Sequence, residues 1–318
     1  MRIAFALLVL LNLGQPCQAW WEAGHQIISL LAYDLMTNDE QQELQDLLQA
    51  HPRLAEDFIS PAPIAKSDDQ KRWLIGRAAY WPDVARSVPE YNRPNWHYQL
   101  GSVLTIGEVK NVPPHPGPLP SEATLETADL HIAQAVELCR RVLRDKAASK
   151  SNRALSVCWL AHLVGDAHQP CHAGSLYMAG VFPEGDRGAN LIPTRQAKNL
   201  HALWDSLLGD RYDAGDIRRR CNAIRSEEST WAKGQKASQQ QDGLNPMAWL
   251  AESAELARMS VYTPEVLQTL DAAARKLTAK VETIDLSEAY LTEAGHLART
   301  RATFAAHRLS AIWKADLK

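Results

Sequence analysis

Apolar residues recur at spacings of three and four along most of the chain, the period of a helix that buries one face. Ile27, Ile28, Leu30, Leu31 and Leu35 set this pattern in a first predicted helix, Ala23 to Met36. Thr37, with Glu40 three residues later, predicts a capping box, and Leu44, Leu47 and Leu48 continue a second helix behind it. Ser121 predicts the cap of a long helix, Glu122 to Ala147, rich in Ala, Leu and Glu. The segment Asn152 to Ala167 carries Leu155, Val157, Trp159, Leu160, Leu163 and Val164 and has few polar faces, which places it at the centre of the fold. Pro170 ends it. Further helices are expected over Ala197 to Leu208, Asp216 to Lys233, Pro246 to Tyr262, Pro264 to Thr278 and Leu286 to Ala315. No convincing alternating strand pattern is present. Gly101 to Pro120 and Gly174 to Pro193 are rich in proline and glycine and read as surface loops, because the helices flanking them lack complete cores of their own. The expectation is one all-α domain with long functional loops.

The N-terminus departs from this pattern. Arg2 precedes an uninterrupted apolar run from Ile3 to Leu11, and Cys17-Gln18-Ala19 ends in a small residue suited to cleavage. This is the pattern of an export signal, and the run is too short for a bilayer span of roughly 20 residues. Residues 1–19 are therefore expected to be removed, leaving the domain at residues 20–318 with a free α-amine on Trp20, in the periplasm or outside the cell. Export permits disulfides, but spacing does not choose a pairing among Cys139, Cys158, Cys171 and Cys221, which stay unpaired in this reading. The 318 residues carry a formal charge of −3. That balance excludes a protein that grips nucleic acid through a broad cationic surface, yet leaves room for an enzyme that meets phosphate with bound metal.

The candidate chemistry lies in histidine and aspartate. His162 and Asp166 stand four apart on the central helix and so share a face, and His201 and Asp205 repeat that spacing on another helix. His172 follows closely after Pro170. Asp83 and His97 sit in Trp-rich segments, Trp81-Pro82-Asp83 and Trp96-His97-Tyr98, and His25 lies five residues from the expected new terminus. Imidazole with carboxylate is a ligand set suited to zinc. A single His-x3-Asp pair is commonly a surface contact, but burying His162 and Asp166 without metal or partner costs several kcal/mol. Together the residues point to a multi-metal site. His168 reads as a supporting or packing residue, and His51, His115, His131, His296 and His307 as ordinary ones.

These motifs resemble the exported zinc-dependent single-strand nucleases, which share a fold with the bacterial zinc phospholipases C. The resemblance runs through Trp20-x4-His25, Trp81-x-Asp83-x2-Arg86, Trp96-His97-Tyr98, His162-x3-Asp166-x5-His172 and Asn199-Leu200-His201-x2-Trp204-Asp205, in that order. It implies an all-α fold with three zinc ions in a cleft. Asp83, His97, His162 and Asp166 would hold the first ion. Asp166 would bridge to a second, completed by His25 and the α-amino and carbonyl groups of Trp20. His172, His201 and Asp205 would hold the third. Asp83 would orient the attacking water or accept its proton, and Arg86 would hold phosphate oxygens in its planar donor fork. Single-stranded DNA or RNA would be cut to 5′-phosphate products, and the resemblance allows 3′-nucleotide dephosphorylation as well.

Tyr98 matches an aromatic position against which an unstacked base can lie. Asn190, in Asp186-Arg-Gly-Ala-Asn190, matches a family Asp-x-Gly-Gly-Asn loop near the phosphate; Ala189 replaces a glycine, which would alter the loop because glycine tolerates positive φ more readily. Leu100 stands where the family often carries a base-reading aspartate, and leucine accepts no hydrogen bond, so base preference does not carry over. No stable membrane insertion and no obligate protein partner are expected. Two alternatives remain. A zinc phospholipase C would have a longer first spacing and a Glu in place of Asp205. A non-catalytic metal-stabilised binding protein would need a site closed to water and substrate.

Overall fold

The computed structural model describes residues 20–63, 67–276 and 280–318. The expected leader, residues 1–19, lies outside them, as does the expected helix end at Thr278. The chain is mostly helical, as the periodicity predicts. Its centre is α5 (Lys150–Ala167), buried without interruption from Ala154 to Ala167. Ser149 caps its start by accepting from the Asn152 N–H, and its end leads into a tight turn at Pro170–His172. Around it pack α1 (Glu22–Asp34), α3 (Ser67–Val84), α4 (Ile132–Arg144) and the long α11 (Glu288–Asp316). α2 (Asn38–Leu48) carries the expected capping box between Thr37 and Glu40. α6 (Leu200–Ser206) is a short helix capped by the Asn199 side chain, and α9 (Pro246–Leu256) and α10 (Pro264–Arg275) start at prolines. Among the described residues no helix is long and apolar enough to cross a membrane. Cys139, Cys158 and Cys221 are buried free thiols, and Cys171 is buried as well.

Three expectations are corrected. First, α4 does not begin at Ser121. It begins at Ile132, where His131 and Gln134 form the capping box. The carbonyls upstream serve other partners: Thr127 accepts from the Trp96 indole at 2.9 Å and Leu125 from Arg93 at 3.0 Å. Second, the stretch from Asp216 to Lys233 is two helices, α7 (Ala214–Ser226) and α8 (Glu228–Ser238). The break falls at Glu227, whose ψ is 68° and whose carboxylate is held 2.8 Å from Arg299 of α11. Third, strands are present: β1 (Ser102–Ile106) pairs in parallel with β2 (Ser175–Met178), in register Leu104 to Leu176. Each strand is only one or two residue pairs long on either face, too short to write a period-two signature. The pairing fastens both irregular segments together.

Because α5 is buried on all sides, it tolerates little loss of volume. Leu163→Ala is expected to lower stability by about 2–5 kcal/mol, read as an earlier midpoint in urea unfolding followed by far-ultraviolet circular dichroism.

Candidate metal centre

α5 supplies His162 and Asp166 one turn apart, both fully buried. The other side chains come to them from separate elements. Asp83 lies in the last turn of α3, just after Pro82, which lacks the N–H that would continue the helical ladder. His97 closes a short turn, Pro94–His97, and His25 lies on α1. Ligand atoms of His25, His162 and Asp166 all fall within 4.8 Å of one another, and so do those of Asp83, His97 and His162. The two groups therefore share His162. His97 Nδ1 lies 3.2 Å from Asp166 Oδ2, so Asp166 also faces both. His25 stacks on His162 with ring centroids 3.9 Å apart. Gly165 makes room for that approach: a Cβ there would lie 3.1 Å from His25 Nδ1, and the ring would have to give by a few tenths of an ångström.

A third group forms from His172, His201 and Asp205, likewise within 4.8 Å. His172 comes from the turn after α5, and His201 and Asp205 from successive turns of α6. Gln169 donates to Asp205 Oδ1 at 2.6 Å and steadies it, a role that its place between His168 and Pro170 gave no means of foreseeing.

Backbone carbonyls fix the tautomers. A carbonyl only accepts, so His162 donates its Nδ1 proton to Ala79 O, His172 to His97 O and His201 to Gly188 O. Each ring then turns a lone pair at Nε2 into its group. His172 Nε2 and His201 Nε2 face each other at 3.1 Å, two acceptors that repel unless a cation lies between them. Further unmet demand is present in the joined groups. Both His25 nitrogens, Asp83 Oδ2, His97 Nε2 and Asp166 Oδ1 are buried without a hydrogen-bond partner. Orphaned groups of this kind cost about 1–3 kcal/mol each. The donor set of imidazole nitrogen and carboxylate oxygen, buried and short of partners, fits zinc.

The electrostatics agree. Burial holds His25, His97 and His172 well below the ordinary imidazole value, helped by neighbouring His162, Arg86 and His201 respectively. Neutral imidazole is the form that ligates. Burial also pulls on His162, but the Asp166 and Asp83 carboxylates outweigh it and raise that ring. Burial pushes Asp166 up to about 6.

The remaining sequence candidates are placed as follows. Arg86 donates from Nε to Asp83 Oδ1 at 2.7 Å. Trp20 is fully buried, and its indole donates to Gly165 O at 3.0 Å, which sets it against the α5 turn that bears Asp166. Tyr98 lies outside the three groups, with its hydroxyl on Asn95 and its ring edge-on to His131 at 5.5 Å. Asn190 bridges the Arg187 carbonyl and Asn199, the cap of α6. Ala189 keeps a φ of +67°, so the loop retains a left-handed backbone without the glycine. His168 is a supporting residue: Nδ1 donates to Val164 O, and Nε2 accepts from Arg308 at 2.7 Å.

The sequence model of the S1/P1 nuclease family matches residues 20–317. Among curated proteins, Endonuclease 4 of Arabidopsis thaliana is 37% identical over 60 residues, 18% of this chain and 17% of that protein. Nuclease S1 of Aspergillus oryzae is 20% identical over 207 residues, 64% of this chain and 60% of that protein. The chain thus spans less than two thirds of the length of either relative.

The titration shifts set the pH response of the metal-free protein. Unfolded histidines protonate near pH 6.5, whereas His25, His97, His168 and His172 stay neutral when folded, as does His51, whose pKa burial lowers to about 3. The unfolded chain therefore takes up more protons below about pH 6.5, and stability is lost as pH falls. Asp166 and Asp186, each raised by burial to about 6, act in the opposite sense together with His162, but they are fewer. The zinc-stripped protein is expected to melt at a lower temperature at pH 5 than at pH 7. A melting temperature that rises on acidification would contradict this balance.

Proposed function

Because the chain belongs to the S1/P1 nuclease family, we propose that it is an exported zinc-dependent phosphodiesterase that cuts single-stranded DNA and RNA to products carrying a 5′-phosphate. The observation that carries this reading is the meeting of two ligand groups at His162 with a third beside them, in a protein whose family match begins at Trp20. Three zinc ions would be held there: Asp83, His97, His162 and Asp166 would hold one, Asp166, His25 and the Trp20 terminus the next, and His172, His201 and Asp205 the last. Zinc held there would make water a nucleophile near neutral pH and offset phosphate charge.

The chain's own residues do the rest. Asp83, with Oδ1 held by Arg86, orients the attacking water or accepts its proton through its carboxylate. Arg86 keeps Asp83 oriented through Nε and offers the outer edge of its fork to non-bridging phosphate oxygens. Tyr98, beside His97, offers a ring for an unstacked base, and duplex DNA, whose bases are stacked inward, is excluded from that contact. Asn190, braced by the cap of α6, approaches the phosphate. Removal of residues 1–19 frees the Trp20 amine. Activation is thereby tied to export, and cleavage completes the ligand set.

Assaying zinc-loaded mature protein on single-stranded DNA, RNA and phosphatidylcholine tests the substrate class; hydrolysis of the lipid alone would reject it. Asp83→Asn is expected to lower nucleic-acid hydrolysis by about 10²–10⁴-fold while elemental analysis finds most of the zinc still bound. Full activity in that variant would remove Asp83 from the proton transfer. A chain made with one added residue before Trp20 is expected to bind one ion more weakly, by on the order of 10-fold or more, in titrations against a chelator. Undiminished affinity would separate the terminus from the metal.

A further inference from the structure

Asp186 belongs to none of the three ligand groups, yet it is fully buried. Its carboxylate accepts from the Leu176 N–H at 3.0 Å, from the Tyr262 hydroxyl at 2.7 Å and from the Ala189 backbone N–H. Its own N–H donates to Leu176 O at 2.9 Å. The side chain is thus clamped between β2 and the turn that follows α9.

The three residues after it all have left-handed backbones: Arg187 at φ +59°, Gly188 at +62° and Ala189 at +67°. For residues other than glycine this conformation costs roughly 1–2 kcal/mol each, and it persists only where the surroundings enforce it. The carboxylate at the start of the turn enforces it by holding the Ala189 N–H at the end, and Ser175 Oγ holds the Gly188 N–H at 3.0 Å. Gly188 admits no side chain, since a Cβ would lie 2.3 Å from the Cys171 carbonyl oxygen. The turn has one product that reaches the metal centre. The Gly188 carbonyl receives His201 Nδ1–H at 2.5 Å, and the Ala189 carbonyl receives the His201 backbone N–H at 3.4 Å.

We propose that Asp186 is a positioning residue for the ion held by His172, His201 and Asp205: it locks a strained turn whose Gly188 carbonyl fixes the tautomer and direction of His201. The inference rests on the reading of that group as a metal site. Tyr262, as the side-chain donor to the carboxylate, belongs to the same device. The strain in Arg187 and Ala189 is held in place so that a carbonyl can be aimed at one nitrogen.

Asp186→Asn tests this. An amide keeps one accepting oxygen and adds two donors, so it cannot hold both backbone N–H groups and the hydroxyl as the carboxylate does. Zinc affinities of the purified protein are read by titration against a competing chelator. The ion that depends on His201 is expected to bind on the order of 10–100-fold more weakly, with the other affinities unchanged. Combining Asp186→Asn with His201→Ala should weaken binding no further than His201→Ala alone. Tyr262→Phe should act in the same direction and less, and it decides the matter if Asp186→Asn does not fold. Wild-type affinities in both variants, equal weakening at every ion, or a loss additive with His201→Ala would each overturn the proposal. If His201→Ala itself leaves every zinc affinity of the wild type intact, the metal reading fails instead, a distinct result.

Discussion

Three buried imidazoles give their Nδ1 protons to backbone carbonyls, and the rest of the site follows from that. Once those protons are committed, His162 Nε2 faces His97 Nδ1 and Asp166, and the Nε2 atoms of His172 and His201 face each other. That last meeting, acceptor to acceptor in a dry interior, is unfavourable without a cation between the rings. The arrangement makes sense for a cation. The apolar bundle around α5 places His25, Asp83, His162 and Asp166, which stand on its helices.

The carbonyls that orient His162 and His172 come from segments that carry other ligands. Ala79, which holds His162, lies on α3 one turn before Asp83. His172 is held by the carbonyl of His97, itself a member of the joined groups. Gln99 N–H returns a bond to His172 O at 2.8 Å, so the two segments grip each other in both directions. Displacing any one ligand segment therefore releases a ring elsewhere, which couples the groups mechanically even where no ligand is shared. Only His201 takes its orienting carbonyl from a loop, and that loop is the strained one fastened by Asp186.

What could be read from the sequence followed the helical period. His162 and Asp166, and His201 and Asp205, were visible because four residues make one turn and put two side chains on one face. The central place of α5 was visible because its polar residues are few. The start of α4 was not, since the choice between Ser121 and His131 depends on carbonyls that Trp96 and Arg93 reach from elsewhere in the chain. The short parallel pairing of β1 and β2 was hidden for a similar reason: four or five residues carry too little alternation, and the partner is some seventy residues away. Asp186 stood inside a quoted motif but showed no metal-ligand spacing. Its importance depends on backbone angles at Arg187 and Ala189, which residue identity argues against.

The charge balance completes the physical argument. A protein of formal charge −3 has no surplus of cations with which to draw in a polyanion. Its site without metal is worse, for Asp83, Asp166 and Asp205 converge there against a single arginine, Arg86. Divalent ions held by these carboxylates would reverse that sign locally. Trp20 fits the same logic. Its indole bonds to Gly165 beside Asp166, and the following Trp21 N–H bonds to Asp205 O at 3.1 Å. The N-terminal segment thereby joins the two helices that carry His162 and His201. On the proposed reading, a neutral α-amine at that junction would add a ligand without another negative charge.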